Sequence, residues 1–249
     1  MEAKTRILTW IRIRIDVLVA SPDIARVSDE APQLTSKLLE DSVRKMPRQG
    51  RSLASYERML SATRELLLER GDDDFTLLDV SERGGVSIGS IYLRFDGKDK
   101  LLQAVIGQEL IELAAAECKM LERIGESSSN LTEFLESYIA LYSEFLEDRA
   151  KMLGLIMQKA ATDEAISGPG KEIARHSAAC TTSGILRFRE EIRADDPELK
   201  ARVVFQTIFA TVARQFGLAT TAEAADDELW AIVKQELAKM MLSYLRDPN

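Results

Sequence analysis

The chain has 249 residues, 45% hydrophobic, 6% aromatic and 30% charged, with a net charge of −8. That length can bury one large or two small cores, the abundance of Ala, Leu, Glu, Lys and Arg favours helices over a sheet, and no run approaches the roughly 18–20 uncharged apolar residues of a membrane span. The acidic balance argues against general affinity for nucleic acid, but residues 1–100 carry seventeen basic and seventeen acidic side chains, so the excess lies in 101–249.

Residues 1–50 read least clearly. Ile11, Ile13, Ile15 and Val17 alternate with Arg12, Arg14 and Asp16 in a strand-like period of two, but nothing else in the chain offers such a strand a partner. The stretch 21–33 is polar with two prolines and reads as loop. The segment 1–50 is therefore expected to be a flexible extension, or translation starts at Met46; a basic arm ending at Arg51 that tracks a minor groove is the functional alternative.

A helix is predicted over 52–70, with Tyr56, Leu60, Thr63 and Leu67 on one stripe and Gly71 as its stop. The next stretch, LLDVSERGGVSIGSIYLRF at 77–95, reads as two short helices about a glycine turn. Thr76 and Asp79 form a capping box, Gly84 and Gly85 end the first helix, Val86 plugs the turn, and Ser87 caps a second helix whose inner face carries Ile91 and Phe95. Ser90, Leu93 and Arg94 are expected to point away from that core, with Tyr92 at its edge. This is the layout of a DNA-reading helix-turn-helix. A further helix starts near Gly97 and runs through Leu101, Val105, Leu110 and Leu113 toward Leu121.

Beyond it, Asn130 and Glu133 cap a helix carrying Phe134, Tyr138, Leu141, Tyr142 and Phe145. A short apolar helix spans 149–160, and Gly168-Pro169-Gly170 is expected to break the chain before a helix over 171–193. Asp196-Pro197 opens a helix over 197–218, and Asp226 or Asp227 caps the last one. Both final helices are apolar over more than one face and must bury a second side. Cys118 and Cys180 are the only cysteines and His176 the only histidine. Without a CxxC motif they predict neither a metal site nor a disulfide framework; two small buried hydrophobes are expected, with a redox-sensing pair as the alternative.

From Tyr56 to Leu102 the sequence resembles the DNA-binding domain of TetR-family transcriptional regulators. The resemblance is carried by LLLERG at 66–71, Thr76, Val80, Gly85-Val86-Ser87, Gly89, Ile91-Tyr92, Phe95, Lys98 and Leu101-Leu102. Ser81 and Gly84 stand where the family usually has alanine, Thr63 replaces another, and Asp72 sits where an aromatic is common; the glycine is expected to fray its helix by up to about 1 kcal/mol. The resemblance implies an all-α fold: an N-terminal three-helix DNA-binding domain over 51–96, and a C-terminal helical ligand-binding and dimerisation domain over 97–249. It places Ser87, Ile88, Gly89 and Tyr92 toward base edges and Ser90, Leu93, Arg94 and Lys98 toward phosphates, with Thr76 offering a hydroxyl and helix N-terminal amides to another phosphate.

The same resemblance implies a cytoplasmic, homodimeric repressor, whose partners are double-stranded DNA with a palindromic operator and a small-molecule effector, with no cofactor. Thr207, Ala210, Thr211 and Arg214 are the implied dimer seam. Tyr138, Tyr142, Phe145, Met152, Met157, His176, Phe188 and Phe209 are residues that usually mean core, and that together suit an adaptable apolar cavity. No P-loop or HExxH motif is found, so catalysis is not expected. A helical enzyme, or an interaction protein whose helix-turn-helix no longer binds DNA, are the alternative readings.

Overall fold

The computed structural model describes residues 33–47, 49–218 and 226–248. Among them ten α-helices and one 3-10 turn follow one another with no strand. The all-α class expected from composition is what the chain adopts. The strand-like alternation at 11–17 lies outside the described residues, as does the polar stretch 21–33 apart from Gln33.

The described residues divide into two compact units, one within 33–113 and 151–173, the other within 114–150 and 174–248.

The first unit begins with α1 (Gln33–Ser42), which corrects the expectation of a flexible segment up to residue 50. Leu38, Val43, Thr35 and Ser42 are buried. The carboxylate of Glu172 accepts the backbone amides of Leu34 and Thr35, each at 3.0 Å. An anion there satisfies donors that no turn of the helix can reach and faces the positive end of its dipole. A chain starting at Met46 would lack this packing.

Helix α2 (Arg51–Arg70) buries the whole expected stripe of Tyr56, Leu60, Thr63 and Leu67, with Met59 and Leu66. Thr63, the departure from alanine, is satisfied in place: its hydroxyl donates to Met59 O at 2.8 Å. Helices α3 (Leu77–Gly84) and α4 (Ile88–Tyr92) follow. The capping box forms as expected, Asp79 N to Thr76 Oγ1 at 3.1 Å and Thr76 N to Asp79 Oδ2 at 2.7 Å. Gly85 takes the left-handed conformation (φ +57°) that ends α3, a region glycine enters without penalty. Ser81, the second departure, donates from its hydroxyl to Val86 O at 2.6 Å and closes the turn.

Gly84 has a different role from the fraying expected of it. A Cβ there would lie 3.1 Å from Arg58 O and 3.3 Å from Ala62 Cβ, so its bare Cα lets α3 lie close against α2. The unit is completed by the first half of α5 (Lys98–Ser127), by α7 (Ala150–Ala160) and by the start of α8 (Glu164–Leu186). Pro169 lies inside α8, so Gly168-Pro169-Gly170 does not break the chain. Proline removes one ladder donor but keeps a helical φ, and the glycine before it has no Cβ for the ring to strike. The helix also ends earlier than expected, at Leu186, and a 3-10 turn follows over Arg189–Glu191.

The second unit is built on α6 (Leu131–Glu147), which packs against α9 (Pro197–Gln215) and α10 (Asp227–Arg246). Asn130, Asp196 and Asp226 cap α6, α9 and α10, accepting backbone amides at 2.8 to 3.0 Å. Trp230 donates its indole N–H to Ser143 Oγ at 3.1 Å. Lys200 is buried and donates to Tyr244 O at 3.0 Å and to Asp247 O, a cation on the carbonyl end of α10 that its dipole favours. No described helix is long and apolar enough to cross a membrane.

Replacing Gly84 with Ala gains about 1 kcal/mol of helix propensity but forces α2 and α3 apart, an overpacking cost of about 1–3 kcal/mol. The close contact with backbone, which cannot swing aside, makes the second effect the larger. Gly84→Ala therefore lowers the melting temperature, measured by circular dichroism; an increase would show that the helices separate at no cost.

Candidate nucleic-acid interface

Five residues are too few for a helix to persist alone, so α4 is held from its inner side. Ile91 and Phe95 are fully buried with Val80, and Val86 nearly so. The Phe95 ring stacks on Tyr56 of α2 at 6.0 Å. Ser87 accepts the amide of Ser90 at 3.2 Å, and the two hydroxyls share a 2.8 Å hydrogen bond. What remains outside is a strip of Ser87, Ile88, Gly89, Tyr92 and Leu93, the last two 55% and 62% exposed. Ser90 is half-buried beside it, and Thr76 is exposed at the start of α3. A Cβ on Gly89 would meet nothing within 4 Å, so nothing in the protein requires glycine there.

Arg94 departs from the expectation that it points outward to phosphate. It is 7% exposed. Its guanidinium donates to Lys45 O and Ser52 O at 3.1 Å and to Ser52 Oγ at 2.8 Å, and its own carbonyl accepts Arg44 N at 2.8 Å. Once those groups are bonded, little of the cation remains for DNA. Arg94 instead fastens the segment before α2 to the end of α4, and so brings exposed Arg44, Lys45 and Arg51 to the reader's flank. Arg44 also pairs with Asp96.

Lys98 is only half-exposed. Its ammonium donates to Asp73 O, lies 3.9 Å from the Asp73 carboxylate and sits 4.7 Å from the centre of the Phe75 ring. Lys159 holds the same carboxylate from α7. Burial pushes the Asp73 carboxyl up, but hydrogen bonding and attraction from Lys159, with Lys98 behind it, leave it below the ordinary carboxylate range. The acidic run at 72–74 is thus partly neutralised within the fold.

The residues grouped as an apolar ligand site are divided between the two compact units. Tyr138, Tyr142 and Phe145 form a stacked column along α6, with centroids 5.1 and 6.2 Å apart. Phe188 packs on Phe134 at 5.5 Å and Phe209 stacks on Phe205 at 6.2 Å. Met152 and Met157 belong to the other compact unit, where Met152 borders a void of about 10 Å³ beside Leu67 and Leu102, room for one water. His176 lies elsewhere, against sulfur.

The fold brings the two cysteines together with the histidine. Cys118 Sγ is 2.9 Å from Cys180 Sγ and 3.1 Å from His176 Nε2, with 3.5 Å between Cys180 Sγ and that nitrogen. All three are half-buried. Hydrogen bonding from Cys180, helped by His176 and opposed by burial, draws the Cys118 thiol down to about 5; the same pairing, with burial, pushes Cys180 up. The spacing of 62 residues between the thiols hid this, although His176 and Cys180 stand one helical turn apart and would share a face.

A short helix, α4, follows α3 across a glycine turn, and α3 packs on α2, which is a helix-turn-helix arrangement. Residues 59–105 match the family model described as bacterial regulatory proteins, tetR family. The fold is similar to that of a TetR-family transcriptional regulator of Mesorhizobium loti (TM-score 0.62, 17% identity, covering 79% of this chain and 96% of that one). It is also similar to Salmonella enterica GusR (TM-score 0.58, 17% identity, covering 81% and 100%) and to a transcriptional regulator of Cytophaga hutchinsonii (TM-score 0.58, 15% identity, covering 77% and 98%). No curated protein matches the chain significantly. The match to the family model is thus confined to the segment around α2 to α5, and the likeness to the solved TetR-family regulators is one of fold.

Removing the buried guanidinium leaves two carbonyls and a hydroxyl without their donor. Arg94→Ala is expected to destabilise the reader unit by about 2–4 kcal/mol, hydrogen bonds to a charged group being worth about 1.5–3 kcal/mol each, as measured by urea unfolding. A loss under 0.5 kcal/mol, on the order of an ordinary surface substitution, would return Arg94 to the list of phosphate contacts.

Proposed function

We propose that this protein is a homodimeric repressor that binds a palindromic operator through α4 and leaves it when a small effector binds. The observation that carries the reading is the division of α4 into a fully buried inner face and an outer strip of Ser87, Ile88, Gly89, Tyr92 and Leu93 that is exposed among the described residues. In a major groove, Ser87 and Tyr92 supply hydroxyls to base edges and Ile88 contacts a thymine methyl. Glycine at 89 lets the backbone come close. Thr76 offers phosphate a hydroxyl at a helix N-terminus. Arg44, Lys45 and Arg51 replace Arg94 as the expected phosphate contacts, and Lys98 contributes only what Asp73 leaves free.

Dimerisation is supported by two unburied stripes on the last helices. On α10, Leu229, Ile232, Met240 and Tyr244 are exposed, Ile232 and Met240 by 51% and 60%. On α9 Val203 is exposed, and Thr207, Ala210, Thr211 and Arg214 continue its face. The hydroxyls of Thr207 and Thr211 donate to carbonyls of their own helix at 2.9 Å. Small and apolar side chains along both helices suit a four-helix seam with a second copy. Effector release would require the aromatic column on α6 to open, since the column is packed.

Two experiments test the proposal. Selection of genomic fragments on the purified protein at two salt concentrations is expected to enrich a shared inverted repeat, and Tyr92→Ala to weaken its binding by about 10-fold, the size of one base contact. Salt-sensitive background without a common sequence would remove DNA recognition. For the seam, Met240→Glu places a charge in the expected interface and is expected to give monomers in sedimentation velocity. An undisturbed dimer would move the seam elsewhere.

A further inference from the structure

Every cysteine and histidine of the chain, three residues in all, meets at one point in the second unit. The proposed regulator has no need of them there. His176 and Cys180 lie four residues apart on α8 and project from one face, while Cys118 comes across from α5. The three donor atoms lie within 4.8 Å of one another.

We propose that Cys118, His176 and Cys180 form a binding site for a thiophilic d10 cation, zinc(II) or copper(I). The chemistry of the donors selects the class: thiolate and imidazole suit these ions, whereas calcium and magnesium take oxygen. The geometry fits as well. With metal bonds of about 2.3 Å to sulfur and about 2.0 Å to nitrogen, tetrahedral ligands stand about 3.5 Å apart for the nitrogen-sulfur edges and about 3.8 Å for the sulfur-sulfur edge. The two nitrogen-sulfur edges here are 3.1 and 3.5 Å. The sulfur-sulfur edge, 2.9 Å, has to open by less than about 1 Å, a small adjustment for two side chains that are not fully buried.

A disulfide would explain the contact between the sulfurs and leave the approach of His176 to both of them without a role. Two thiolates balance the charge of a divalent ion, and three protein ligands leave a fourth position for water or another group. Glu122, one turn beyond Cys118 on α5 and exposed, adds negative charge on the same side. The partial exposure of all three ligands gives an ion a way in from solvent.

The test uses the full-length protein, reduced and handled without oxygen, so it does not depend on DNA binding. Cobalt(II) is titrated as the optical probe for zinc, zinc(II) is added to displace it, and copper(I) is tested separately against a chromogenic chelator. One equivalent per chain is expected, with a thiolate-to-cobalt charge-transfer band. Cys118→Ser, Cys180→Ser and His176→Gln should each weaken binding by at least ~10-fold while their circular dichroism spectra and melting stay those of a folded protein. Zinc(II) should raise the melting temperature of the wild type and not of Cys118→Ser. Binding unchanged in all three variants would overturn the site. So would a reduced protein that takes up no ion, and if its thiols close to a Cys118–Cys180 disulfide in air, the cluster is a redox pair.

Discussion

A helix of five residues is not stable in water, because the cost of nucleating it exceeds the few hydrogen bonds it closes. Everything about the reader follows from that constraint. The shape of α4 is imposed from behind, by Ile91 and Phe95 packed fully out of solvent and by the Phe95 ring on Tyr56. Its far end is tied by the Arg94 guanidinium to Lys45 and Ser52. The side that faces outward carries no packing duty, so its residues are free to be chosen for what they touch. The close approach of α3 to α2 at Gly84 belongs to the same design, since it is α2 and α3 that present the platform.

This separation of duties explains what was legible in the sequence and what was not. The helix caps at Thr76, Ser87, Asn130, Asp196 and Asp226 form as expected because each is a local bond within four residues. The buried stripe of α2 follows from period alone. Arg94 was misplaced because, on a helical wheel, a cation beside Leu93 and away from Phe95 belongs outside. Only the fold of the preceding segment, docked through α1, supplies the carbonyls that bury it. Glu172 at α1 and the cluster at Cys118 were hidden for the same reason, their partners being 137 and 62 residues away. Gly168-Pro169-Gly170 was misread for a different one: breakers weaken a helix by a fixed amount, and tertiary packing outweighs it.

The second unit shows how little composition says about cavities. Tyr138, Tyr142 and Phe145 have the character of a ligand pocket and the arrangement of a core, ring upon ring along one face of α6. A core at native packing density holds no spare volume. A small molecule entering that column would gain affinity only by selecting a state in which the column is displaced, and the population of that state would limit how tightly it bound. A cation at Cys118, His176 and Cys180 faces no such limit, because its ligands already converge and need less than about 1 Å of adjustment.

The net charge of −8 and the proposed affinity for DNA are reconciled by where the acids of the reader unit are engaged. Asp79 accepts the Thr76 amide within its capping box and lies 3.2 Å from Arg70. Asp73 is held by Lys98 and Lys159, Asp96 by Arg44, and Glu69 by Arg83. Each of these carboxylates has a cation within ion-pair distance, so its field is largely cancelled over the distance, about 8 Å at physiological salt, beyond which screening removes the rest. A phosphate approaching α4 responds to that local balance rather than to the sum over the chain. Exposed Lys45 and Arg51 then count in full, and their position depends on the buried guanidinium of Arg94.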